Sequence, residues 1–356
     1  MRRVVSVFII IAFSSGALAG NSYSLVEAVQ PRVAHLKFKA EDLRALAVRE
    51  VVVRSLATRN DKSLAGLGAV VADAAPTDFV ESFRTLDIYR NQASTIAIGV
   101  FGKTPTLADL DNLTIDDKET YALSRSRVGN SDIKLTEAEI ASIGAVMGKA
   151  TRLTPQLRKA VAAQFKKALV ARVAAYLESG LAGLGAYNDK DEGVPANEAF
   201  LKLSNEQAQT SGHCADLYQT LDKFPQQAGG QTESIIYWAK QRFGDMKPVI
   251  NIVHMLIHKE EDRVYIASKQ LYSSHYTEAG LSVAELIPVK DEHGQVKTVF
   301  AFSLRLQVDM LGGTLGFMKK RMAQPRLLAS IKDSLSHLRT NMEARARSSN
   351  SVGAGY

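Results

Sequence analysis

Between Val264 and Gly280 the chain reads VYIASKQLYSSHYTEAG, which sets Lys269, Tyr272, His275 and Tyr276 among apolar residues. An amine, an imidazole and two phenols this close in sequence could move protons or orient a polar ligand group. The β-branched and aromatic residues around them predict a strand, and a strand sends alternate side chains to opposite faces. One face would carry Tyr265, Lys269, Ser273 and His275, the other Ile266, Gln270, Tyr272 and Tyr276. Lys269 and His275 would then lie about 20 Å apart on a straight strand, too far for direct contact. By the same rule Arg305 and Asp309 share a face of a later strand, as a charge pair or as the solvated side of a sheet.

Other reactive residues match known chemistry less well. In HMLIH, His254 and His258 have a spacing that would bind one metal on a helix, but the flanking VINIV predicts a strand. There the two would be about 13 Å apart, and Met255 stands where a zinc-protease helix needs Glu. Cys214 next to His213 would make a thiol pair only if adjacent helical residues faced each other, and they do not. It reads as a lone buried cysteine. SDIK (Ser131, Lys134) has a penicillin-enzyme spacing without the partner motifs S-D-N and K-T-G. NDKDEG puts Lys190 at a calcium-ligand position, and GGTLGF lacks the G-K-[ST] of a phosphate loop. No catalytic residue, metal or cofactor is assigned from motifs.

The elements that must position these residues are more legible. SLAGLGAVVADAAPTDFVESF predicts a small-residue strand over Leu64–Ala72 and then a helix capped by Thr77. Thr136 three residues before Glu139 is a capping box. From about Lys149 to Asp245 the pattern is almost wholly helical, with Leu157, Val161, Phe165, Leu169, Val173 and Leu177 on one stripe. After Lys247 apolar runs alternate with the polar clusters KEED, YTEAG and KDEHGQ, the pattern of an antiparallel meander. Phe300, Phe302, Leu304 and Leu306 face one way in its last strand, while Ala301, Ser303, Arg305 and Gln307 face the other. A final helix starting near Pro325 carries Leu328, Ile331, Leu335, Leu338 and Met342 on one stripe, which suits packing on that sheet.

At its start the chain has a basic MRR, the apolar VVSVFIIIAF and the small-residue SSGALAG. That order predicts a signal peptide over residues 1–19, cut after Ala19, and a periplasmic or secreted protein. The 46% hydrophobic content supports a large core, and a single cysteine excludes an intrachain disulfide. Without Arg2 and Arg3 the net charge falls to about +5, and basic and aromatic residues do not cluster as nucleic-acid modules require. Lysines and arginines do gather between Lys149 and Glu178 and between Arg305 and Arg347. Those faces are either solvated or suited to an anionic membrane surface.

A small-residue strand running into DAAPTDFVESF, then antiparallel strands, RLQVDMLGG and a long amphipathic helix, resembles the START-type helix-grip superfamily. The likeness spans Val51–Gly102 and Lys247–Ala346. It implies an α+β fold: an antiparallel sheet gripping the C-terminal helix, with residues 20–148 as the first part, 149–245 as a large helical insertion, 246–347 as strands and helix, and 348–356 as a tail. The whole chain is also similar to exported bacterial proteins with KQLYxSHY-like and RxD-like stretches, a likeness that implies no activity. The helix-grip resemblance further implies a cavity between sheet and helix for a hydrophobic, lipid-like ligand. Lys269, Tyr272, His275, Tyr276, Arg305 and Asp309 are the strand residues that would line it. Two alternatives stand beside this expectation: a cavity enzyme of cyclase or hydrolase type with His275 or Lys269 as acid/base, and an interaction protein that docks a partner through the insertion.

Overall fold

Runs rich in Val, Ile, Tyr and Phe fold as strands when both neighbours in the sheet offer them apolar partners. The computed structural model describes residues 25–211, 214–226, 232–313 and 315–353. The signal peptide expected over residues 1–19 lies outside them. Eight strands form one antiparallel sheet: β1 (Val52–Ser55), β2 (Ser63–Ala72), β3 (Thr95–Val100), β6 (Thr232–Gln241), β7 (Val249–Glu260), β8 (Arg263–Ser273), β9 (Thr277–Lys290) and β10 (Val296–Val308). Their order is β1-β2-β10-β9-β8-β7-β6-β3, and β4 (Ala186–Tyr187) with β5 (Val194–Pro195) makes a separate small hairpin. The fold is α+β, with a large helical region and a long C-terminal helix, α9 (Gly316–Gly353).

The sheet lies between two helical layers. On one face α9 and α2 (Pro76–Arg84), which is followed by the short α3 (Asp87–Arg90), bury Ile331, Leu335, Phe79 and Phe83 against Val70, Leu286 and Phe300. Close approach of α9 depends on two glycines of β2. A Cβ on Gly66 would lie 2.7 Å from Ile331 Cδ1, and one on Gly68 2.6 Å from Leu335 Cδ1. Where α9 crosses β2 the interface is therefore filled.

The other face carries α1 (Ala40–Ala47) at one end. Next to it is a block of α4 (Asp117–Arg125), α5 (Glu137–Met147), α6 (Pro155–Ser179), α7 (Ala196–Ser211) and α8 (Ala215–Lys223). Phe165, Val173, Tyr176, Phe200 and Leu217 from this block share one core with Trp238, Ile252, Leu256 and Tyr272 of the sheet. The block is thus a layer of the domain, built on the sheet.

Four local expectations are corrected. The helical block begins earlier than residue 149, at α4, and ends before Thr232, because Thr232–Gln241 is strand β6. Both faces of β6 are covered, so the polar–apolar alternation that marks a half-exposed strand is missing. Ala75, not Thr77, caps α2; Pro76 takes the first helical position and the Asp78 carboxylate accepts from the Ala75 N–H at 3.0 Å. The last helix starts at Gly316, and Pro325 lies inside it on an exposed turn. The turn between β8 and β9 is Ser274–Tyr276, so most of YTEAG already belongs to β9. The capping box at α5 forms as expected: Thr136 Oγ1 accepts from the Glu139 N–H at 3.2 Å, and the Glu139 carboxylate accepts from the Thr136 N–H at 2.8 Å. No helix among the described residues is long and apolar enough to cross a membrane.

Candidate functional site

The residues expected to line one cavity lie in separate places. Lys269 is sealed between helices and sheet: its ammonium donates to the Leu221 carbonyl and lies 4.9 Å from both the Tyr176 and Phe200 ring centres. Burial pushes its pKa down to about 7, against the opposing pull of Asp222. On the neighbouring strand His254 is fully enclosed, with Tyr176 Oη 2.7 Å from Nδ1 and Ser234 Oγ 2.8 Å from Nε2. Burial, with the Lys269 charge second, holds that imidazole well below its ordinary pKa.

Tyr272 does not face away from Lys269. The pairing of β7 with β8 shifts between Ile252 and Val253, so that Tyr272 opposes Ile252, Gln270 opposes Val253 and Leu271 is the extra residue. Such a bulge reverses the alternation after it and brings Tyr272 into the same core as the helical block. Its hydroxyl donates to the Lys134 carbonyl at 3.0 Å, and the Arg172 guanidinium sits 4.9 Å from its ring centre.

His275 and Tyr276 belong to the turn after β8 rather than to the strand. His275 lines an open groove of about 1210 Å³ together with Glu119, Arg125, Asp132 and Lys247. Burial lowers its pKa, and Asp132 opposes that shift. Tyr276 has a left-handed backbone (φ 66°), and its hydroxyl accepts from the Lys247 N–H at 3.1 Å.

Arg305 and Asp309 make different partnerships. The buried Arg305 guanidinium donates to Gln207 Oε1 at 2.9 Å, to Glu206 Oε2 at 3.0 Å and to the Ala57 carbonyl at 3.0 Å, which ties α7 to the sheet. Asp309 follows β10 and holds Lys134 at 2.7 Å, while Asp189 stands 3.4 Å from the same ammonium.

A cavity of about 400 Å³ does open on the sheet, on the face opposite α9. Its floor is Leu67, Val283, Ala301 and Ser303; Gln209, Cys214 and Tyr218 wall one side, and residues 35–37 with 54–57 wall the other. Alternation puts these floor residues on one face of β2, β9 and β10, small or apolar except for Ser303 and the nearby Glu285. Glu285 is buried at the cavity edge between an arginine and a histidine: Arg263 donates to one carboxylate oxygen, and His35 Nε2 stands 2.7 Å from the other. Arg54 reaches over the rim and donates to the Leu36 and Lys37 carbonyls; burial lowers its pKa against the pull of Asp42.

None of His35, Arg54 or Glu285 belongs to a recognisable motif. The sequence trace of the site is a charged Glu in the otherwise uncharged run LSVAELIPV. Comparison with protein-family models, with curated proteins and with solved structures gave no significant match.

Proposed function

We propose that this chain is a non-catalytic binding or carrier protein for a small, mainly apolar molecule with an anionic head, held in the cavity walled by residues 35–37, residues 54–57 and helices α7 and α8. The observation that carries this reading is an apolar floor beneath a rim bearing His35, Lys37 and Arg54. A volume of about 400 Å³ lies within the range of small-ligand sites. It suits one acyl-like chain better than a two-chain lipid. The helix-grip resemblance and the export signal expected over residues 1–19 support a carrier outside the cytoplasm. The cavity lies on the other side of the sheet from the place that resemblance implies. Lys269, one acid/base candidate of the enzyme alternative, is fully buried and lines neither this cavity nor the groove at His275.

Binding of a fluorescent fatty-acid analogue to the purified chain, with displacement by unlabelled fatty acid, is the test. Micromolar binding that drops at least about tenfold in both Ala301→Trp and Arg54→Ala is expected, since one fills the floor and the other removes a rim charge. No saturable binding, or equal binding by wild type and Ala301→Trp with its fold intact by circular dichroism, would overturn the reading.

A second reading, that the protein contacts an anionic membrane surface, is favoured by the start of α9. Phe317, Met318 and Met322 are 72%, 61% and 62% exposed, and Leu315 and Met310 are exposed beside them. Lys319, Arg321 and Arg326 are exposed on the same stretch. Apolar side chains among cations suit the boundary between lipid headgroups and acyl chains. The β1–β2 loop, which walls the cavity at Leu56 and Ala57, also accepts from Lys320 at Thr58 Oγ1 (2.7 Å). The cavity wall and the exposed patch are therefore neighbours.

A further inference from the structure

Cys214 has company that its sequence position does not suggest. Its Sγ, a ring nitrogen of His258 and a carboxylate oxygen of Glu260 all lie within 4.8 Å of one another. Two separate parts of the chain bring them together. Cys214 is the residue before α8, and His258 and Glu260 stand two apart near the outer end of β7, where alternation points both to the same face. Burial falls from Cys214, which is buried, through His258, which is half-buried, to Glu260, which is exposed. The cluster therefore has a dry side and a side open to water.

We propose that Cys214, His258 and Glu260 form a zinc site with three protein ligands and a fourth position open to water or a small ligand. A thiolate, an imidazole and a carboxylate together are a donor set of borderline softness, which suits Zn²⁺; a magnesium or calcium site needs oxygen ligands in greater number. His258 is already oriented for this role. Its Nδ1 lies 2.8 Å from Thr232 Oγ1, the residue opposite it on β6, which leaves Nε2 for a metal.

The tetrahedral bond lengths of zinc set ligand atoms roughly 3.3–3.7 Å apart, so the three need draw in by at most about 1.5 Å. Glu260, exposed beside the β7–β8 turn, has room to make most of that movement. Zinc is bound by the thiolate, so the thiol proton of Cys214 must be displaced. Binding replaces that proton: the S–H bond breaks, the proton leaves to solvent, and a sulfur–zinc bond forms without change of oxidation state. The site stands on residues outside the proposed carrier function; only Cys214 also touches the cavity.

Titration of the purified, metal-stripped chain with Zn²⁺, followed by calorimetry, and with Co²⁺, followed by absorption, tests the proposal. One equivalent of each should bind, and Co²⁺ should give a thiolate-to-metal charge-transfer band with the intensity of tetrahedral coordination. Cys214→Ser should abolish the band, and His258→Ala should weaken Zn²⁺ binding by about a hundredfold or more. Glu260→Gln, at an exposed position that leaves the fold untouched, should also weaken it. A wild-type cobalt spectrum with no thiolate band, or a zinc isotherm unchanged in Glu260→Gln and His258→Ala, would overturn the assignment.

Discussion

A lysine with no exposed surface is costly, because its charged form must leave water. Lys269 offsets this with the Leu221 carbonyl, two aromatic rings and the nearby Asp222, yet its folded pKa is about 7 against roughly 10.4 for a free lysine. Between those values the unfolded chain holds a proton that the folded chain has released. Stability should therefore rise with pH through that window, with the full cost present below about pH 7. Urea unfolding at pH 7 and pH 9.5 checks this. The wild type should gain about 3 kcal/mol more than Lys269→Met over that interval, and equal gains would refute it. At this scale the sequence predicts Lys269 and His275 about 20 Å apart on one straight strand, whereas the structure seals Lys269 under the helical block and puts His275 in the turn after β8, on the open groove. The sequence could not show that Lys269 would be sealed, because its cover comes from Tyr176, Phe200 and Leu221, distant in sequence. Cys214 and His258 are hidden in the same way: a proximity between residues 44 positions apart leaves no local period to read.

At the scale of elements, β2 and α9 show how a small-residue strand is used. Gly66 and Gly68 let the Ile331 and Leu335 methyls rest on the backbone of β2. Replacing Gly68 with Val would put branched carbons where those methyls sit, and overpacking of this kind costs about 1–3 kcal/mol. A lower thermal midpoint for Gly68→Val is expected, despite the better strand propensity of Val; an unchanged or raised midpoint would contradict the packing argument. The stripe from Leu157 to Leu177 was legible because α6 has one buried and one wetter side. Along β10 the alternation was legible although both faces are covered, because its polar Ser303, Arg305 and Gln307, themselves buried, alternate with apolar residues. Strand β6 was misread as helix because helices cover it on both sides. Tyr272 was put on the wrong face because a one-residue bulge leaves no mark in composition.

For the whole molecule, the exposed apolar and basic start of α9 makes a claim that can be tested apart from the cavity. Co-sedimentation with vesicles should be strong with anionic lipid, fall as salt rises, and fall further in Phe317→Glu/Met322→Glu. Equal sedimentation with neutral and anionic vesicles would refute electrostatic docking. The order of the sheet carries a consequence of another kind. Strands β7 to β10 are joined to their neighbours by short turns, whereas β2 meets β10 across roughly 220 residues and β3 meets β6 across roughly 130. Each of those distant pairings must meet its loop-closure entropy before any contact rewards it. The central meander is therefore the part of the sheet that can form from local contacts. Both borders of the sheet, one with the cavity wall attached, belong to the late stages of folding.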